Sequence, residues 1–114
     1  MTDFPYRLTR AGVVMRPDPN DAREAEGVLN PAAAWAPDGR LKLFPRVVAR
    51  GNFSRIAVAD VVIGDGVPIG VQRRGIALAP DRAFERGSDH GGVEDPRITF
   101  VSALGLYLMA YVAY

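Results

Sequence analysis

Residues 31–44 read Pro31-Ala32-Ala33-Ala34-Trp35-Ala36-Pro37-Asp38-Gly39-Arg40-Leu41-Lys42-Leu43-Phe44. Pro37-Asp38-Gly39 is a turn signal: proline presets its own φ, aspartate can bond back to the local backbone, and glycine takes positive φ without a steric cost. After the turn, Arg40 to Phe44 alternates polar and apolar, the period of a half-buried strand, and Pro31 to Trp35 supplies the strand before it. The stretch predicts a β-hairpin.

The same pattern continues toward the C-terminus. Arg50-Gly51-Asn52 turns the chain into Ser54 to Ile63, where Ile56, Val58 and Val61 to Ile63 supply β-branched bulk, and Gly64-Asp65-Gly66 turns it again into Val67 to Leu78. Four strands on short turns predict one antiparallel meander. Helix signals are scarce; Asn20 to Glu26 is a short polar run ended by Gly27 and predicts a turn of helix or a loop. Residues 80–96 interrupt the rhythm with Pro80, Gly87, Gly91, Gly92 and Pro96 and with seven charged residues, which predicts a long exposed loop. Arg97 to Val101 and Leu106 to Tyr114, on either side of Ala103-Leu104-Gly105, predict a further hairpin. A four-stranded unit, a linking loop and the first half of a second unit give an all-β chain, read as antiparallel four-stranded blades of a β-propeller that is incomplete at about one and a half blades. The open strand edge of such a piece predicts self-association into a homo-oligomer.

With 114 residues the chain has the size of one domain or a part of one. Its 14 basic and 13 acidic residues are dispersed and leave a formal charge of +1, which offers no footprint for nucleic acid. There is no cysteine, hence no disulfide framework and no thiolate metal site. No apolar run approaches the roughly 20 residues that span a bilayer, and Met1 to Arg7 lacks a signal-peptide pattern, so the expectation is a cytoplasmic protein with no membrane partner.

Several side chains could carry chemistry. Asp95 precedes Pro96, and Asn30 precedes Pro31; proline disfavours helical geometry for the residue before it, so both are expected to be extended and well aimed. Arg97 shares the facing of Asp95 in a strand and could bind a sugar hydroxyl, hold Asp95 or meet an anion. Local spacing leaves equally open a surface ion pair among Glu94, Asp95 and Arg97. Arg46 and Arg55 are two cations flanking one hairpin. His90 is the single histidine, and no spacing around it suggests a metal. Ser54 and Ser88 lack the G-x-S-x-G setting of a nucleophile elbow, and the glycine pairs are followed by no helix that could cradle phosphate. Trp35, Tyr107, Tyr111 and Tyr114 could stack on sugar rings or fill a core.

Five ordered segments carry a family resemblance: Leu29-Asn30-Pro31-Ala32-Ala33, Leu43-Phe44-Pro45-Arg46-Val47, Ser54-Arg55-Ile56-Ala57-Val58-Ala59, Gly92-Val93-Glu94-Asp95-Pro96-Arg97-Ile98-Thr99, and Tyr107 to Tyr114. Their order and spacing resemble the N-terminal part of glycoside hydrolase family 130, the β-mannoside phosphorylases and related mannosidases. The resemblance implies a five-bladed propeller of which residues 1–114 are the N-terminal fragment. It implies Asp95 as the catalytic general acid and Asn30, Arg46, Arg55 and Arg97 as substrate-binding residues for a β-mannoside. It implies no organic cofactor and no metal, with inorganic phosphate as co-substrate in a phosphorylase, attacking the anomeric carbon with inversion. Phosphate-holding residues of the family lie beyond the stretch matched by this chain, so the 114 residues alone are expected to be inactive. The alternative is a non-catalytic, carbohydrate-binding remnant of the same family.

Overall fold

The structure, a computed structural model, describes residues 4–87 and 91–113. Six strands follow in order: β1 (Gly27–Trp35), β2 (Leu41–Ala49), β3 (Phe53–Gly64), β4 (Val67–Leu78), β5 (Gly91–Val101) and β6 (Leu106–Ala113). Two single 3-10 turns, Ala22–Glu24 and Ala83–Glu85, are the helical content of the described residues. No helix of the described residues is long and apolar enough to cross a membrane.

β1 to β4 form the antiparallel meander that the turns predict, with Trp35 opposite Leu41 at the first turn, Ala49 opposite Phe53 at the second and Gly64 opposite Val67 at the third. The core is small and sits on the two central strands: Val47, Val48, Ile56, Ala57 and Ala59 are buried, joined by Ala32 and Val93. The segment before β1 is held against this meander by Glu24. Its buried carboxylate takes two hydrogen bonds from Arg73 on β4, from Nε to Oε2 at 2.9 Å and from Nη2 to Oε1 at 2.8 Å, and accepts the Asp18 amide as well.

Two expectations from the sequence are corrected here. The propeller reading, four-stranded blades of an incomplete five-bladed β-propeller, is overturned: the six strands make one open mixed sheet, ordered β1-β2-β3-β5-β6, with β4 on β3. The all-β part of that reading stands. The loop over residues 80–96 also ends sooner than predicted, because β5 begins at Gly91 and Gly91, Gly92 and Val93 are buried. Both corrections have one cause. Gly91 and Gly92 pair in parallel with Phe53 and Ser54 of β3, so β5 opens as an added strand of the existing sheet. Their φ angles of 135° and 114° and the absence of a side chain allow two backbones to come this close. A Cβ at Gly92 would collide with the Ser54 carbonyl oxygen and lie 2.8 Å from its amide nitrogen. A composition rich in glycine, proline and charge is read as a loop, but here the glycines are the contact.

Asp60, on β3, gathers charge at the end of the sheet opposite this contact. Its carboxylate accepts hydrogen bonds from Lys42, from Arg74 Nε at 2.8 Å and from Arg40 Nη1 at 3.1 Å. Lys42, then Arg74 and Arg40, hold that carboxyl well below the usual carboxylate range against the opposing effect of burial. Asp21, bonded to Arg23, is lowered to about 2. A folded-state value below the unfolded one, about 3.9 for aspartate, contributes stability that is complete above that pH and is lost as the pH falls toward the folded value. Thermal melts followed by circular dichroism are therefore expected to drop steeply below about pH 4. The drop should be shallower in Asp60→Asn, and an unchanged pH slope in that variant would mean that Asp60 is not held as described.

Candidate functional site

Two bulges build the site. β1 slips register between Leu29 and Ala32, and β5 slips between Glu94 and Arg97. Each slip contains a proline, Pro31 or Pro96, which has no amide hydrogen for the ladder. The residue before each proline departs from the extended geometry expected of it: φ is 44° at Asn30 and 51° at Asp95. Asparagine and aspartate are the side chains that best tolerate this left-handed region, and each such residue still costs about 1 kcal/mol or more. The local proline preference is overridden by a contact between the strands. Asn30 Nδ2 donates to Asp95 Oδ1 at 3.0 Å across 65 residues of sequence.

Behind this pair stands Arg46 of β2, opposite Leu29 on one side and Ile56 on the other. Its guanidinium donates from Nε to Ser54 Oγ at 2.8 Å and from Nη2 to Asn52 Oδ1 at 3.2 Å, and it ion-pairs with Glu94. Nη1 lies 4.0 Å from Asp95 Oδ1. Side chains at consecutive strand positions normally face opposite ways, and the β5 bulge is what lets Glu94 and Asp95 approach one arginine. Arg46 and Glu94 are 13 % and 12 % exposed, whereas Asp95 is 47 % exposed. The layered result is a nearly buried ion pair beneath an accessible carboxylate. Asn30, Pro31, Asp95, Pro96 and Arg97 line an open depression of about 310 Å³ above it. Asp95 Oδ2 has no hydrogen-bond or ion-pair partner among the described residues.

Of the five residues singled out from the sequence, Asn30, Arg46, Asp95 and Arg97 come together. Arg97 is exposed and makes no ion pair among the described residues, so of the roles open to it the structure does not show it holding Asp95. Arg55 is not brought to the cluster. It stands opposite Val47 while Arg46 stands opposite Ile56, so the two arginines project from opposite faces of the sheet, and Arg55 lies over the Phe53 ring at 4.8 Å. The expected surface ion pair at the strand entrance takes another form, with Arg46 rather than Arg97 as the cation for Glu94. His90, Ser88 and Tyr114 lie outside the described residues.

Sequence reasoning passed over Glu94 as the partner of Arg46, and Ser54 and Asn52 as the groups that orient that arginine. One signal was available. Gly27-Val28-Leu29-Asn30-Pro31 and Gly92-Val93-Glu94-Asp95-Pro96 share the pattern Gly-Val-x-(Asn/Asp)-Pro, and the two segments bulge at the same place and meet through the fourth residue of each. No family model, curated protein or solved structure matches this chain.

The ion pair has a measurable role. Replacing Arg46 with Met leaves the Glu94 carboxylate poorly solvated and without its cation, and removal of one member of a largely buried pair is expected to cost about 2 kcal/mol after allowance for residual exposure. Urea unfolding of Arg46→Met should show that loss, and adding Glu94→Gln should recover part of it. Equal stability with and without the second change would show that the two side chains do not interact.

Proposed function

We propose that the depression over Asn30, Asp95 and Arg97 is a mannosyl subsite, and that Asp95 is the general acid of a β-mannoside phosphorylase or mannosidase of the glycoside hydrolase family 130 type. The observation that supports this best is the setting of Asp95. One carboxyl oxygen is fixed by Asn30, while the other has no partner among the described residues and the group is 47 % exposed beside an open, polar-walled depression. An acid for glycoside cleavage needs this combination of fixed aim and free oxygen.

In this reading Asp95 Oδ2 carries the proton and delivers it, through a hydroxyl of the bound mannosyl unit, to the glycosidic oxygen. The bond from that oxygen to the anomeric carbon breaks, and the leaving sugar departs with the proton. An oxygen of inorganic phosphate forms the new bond to the anomeric carbon from the opposite face, giving mannose 1-phosphate with inverted configuration. Asn30 and Arg97 bind sugar hydroxyls, and Arg46 positions Asp95 from below. Glu94, the neighbouring carboxylate, is paired with Arg46 and nearly buried, which leaves it poorly placed to activate water. Phosphate as nucleophile needs no such base, and this favours phosphorolysis over hydrolysis. A cytoplasmic location, where phosphate is at hand as co-substrate, fits the same reading.

The test uses the full reading frame that contains this chain, because the resemblance places the phosphate-holding residues outside the matched stretch. With mannobiose or mannosyl-glucose and inorganic phosphate, mannose 1-phosphate is the expected product. Mannose formed without phosphate would assign hydrolysis instead. Saturable sugar binding with neither product would assign the non-catalytic binding alternative, and the absence of both binding and product would sink the reading.

A further inference from the structure

Glu94 is the charged residue of the Asp95 cluster to which the proposed chemistry gives no task. The glycine contact delivers it there: Gly92 pairs with Ser54 of β3, and two residues further along β5 Glu94 meets Arg46. Ser54 is fully buried and accepts the Arg46 Nε hydrogen bond at 2.8 Å, while Asn52 accepts from Nη2 at 3.2 Å. These bonds hold the guanidinium in one place, with Nη1 4.0 Å from Asp95 Oδ1. A negative, a positive and a second negative group therefore share one cluster, the first two nearly buried and the third half exposed.

A fixed and poorly hydrated guanidinium acts on a nearby carboxylate with little screening by solvent or salt. Left alone it favours the ionised carboxylate, whereas a general acid has to carry its proton. Glu94 opposes this in two ways. Paired with Arg46 it leaves no net charge beneath Asp95, and its own carboxylate disfavours a second negative charge alongside. Both effects act in the same direction. The other elements around Asp95 bring little that competes: Asn30 on β1 is uncharged, and Arg97 on β5 is exposed at the wall of the depression. On β6, Tyr111 falls opposite the β5 bulge, and its hydroxyl is turned to Glu85 at 3.1 Å.

We infer that Glu94 is a positioning residue that acts through Arg46: by cancelling the guanidinium charge, it sets the pH range over which Asp95 keeps a transferable proton. The inference rests on the reading of Asp95 as general acid only for its catalytic consequence. The charge compensation itself can be measured without turnover.

With aspartate labelled by ¹³C at the side-chain carboxyl, the Asp95 resonance can be followed by NMR in this chain, assigned by its loss in Asp95→Asn. Glutamine keeps the shape of Glu94 and an oxygen to accept from Arg46, and Ser54 and Asn52 still hold that arginine, so Glu94→Gln retains the fold. In this variant the titration midpoint of Asp95 should fall by about one pH unit, the lower end of the effect of an opposite charge at this range because Asp95 is half exposed. Adding Arg46→Met removes the uncompensated cation and should return the midpoint close to that of the parent. In the full-length protein, the alkaline fall in kcat/KM should move down with the midpoint in Glu94→Gln and return in the double variant. A purely structural role would lower the rate at every pH without moving the profile. An unmoved midpoint, or a shift that Arg46→Met does not reverse, would overturn the inference even in an active enzyme. A midpoint that moves and reverses in a protein without turnover would support the charge compensation and count against the mannoside reading alone.

Discussion

Gly92→Ala is expected to remove most of the stability of this chain. Two costs coincide at this position. A φ of 114° is a conformation that side-chain-bearing residues rarely adopt, and the added methyl would meet the Ser54 backbone, which has no rotamer to yield. Strain of the first kind costs about 1–3 kcal/mol and overpacking a similar amount, so a total of about 4 kcal/mol or more is expected. Against a total stability of about 5–15 kcal/mol for a typical domain, that is a large share. Gly66→Ala is the matching control: Gly66 also has positive φ, 78°, but a Cβ there meets nothing within 4 Å. It should lose only about 1 kcal/mol, or roughly 5 °C in Tm, while Gly92→Ala should lose about 20 °C or show no cooperative transition. Equal losses in the two variants would mean that β5 does not join β3 in solution.

The same glycine shows why part of the fold was legible in the sequence and part was not. The meander could be read because its information is local: Pro37-Asp38-Gly39, Gly51-Asn52 and Asp65-Gly66 turn the chain, and alternation fixes the facing of the strands between them. The entry of β5 could not, because the partner of Gly91-Gly92 is Phe53-Ser54, far back in the chain, and nothing local distinguishes a glycine that bends a loop from one that admits another backbone. The propeller expectation failed at this point, where a rhythm of strands was divided into successive blades, whereas β5 joins the first four strands in one open sheet. The candidate site divides along the same line. Asn30 and Asp95 were visible as residues before proline, but their geometry follows from each other across two bulges and is left-handed instead of extended. Arg55 looked equivalent to Arg46 by composition, and one step of register sends it to the other face.

With the proposed role for Asp95, Asp95→Asn should lower turnover about 10²- to 10⁴-fold while leaving the fold intact. Asparagine shares with aspartate the tolerance of positive φ that this bulge demands, and its amide oxygen can still accept the hydrogen bond from Asn30 Nδ2. The 4.0 Å approach of Arg46 to Asp95 is lost as a charge contact, but the main partner of that arginine is Glu94, which remains. What disappears is the transferable proton, and a positioned general acid contributes about 10² to 10⁴ in rate. The variant should therefore fall by that factor in kcat, with sugar affinity within a few-fold of the parent and an unchanged Tm. Asp95→Ala separates chemistry from structure, because alanine supports neither the positive φ nor the bond to Asn30, so it should lose stability as well as rate. Activity of Asp95→Asn equal to that of the parent would remove Asp95 from the mechanism. Equal destabilisation by Asn and Ala would show instead that the charge itself holds the two bulges together.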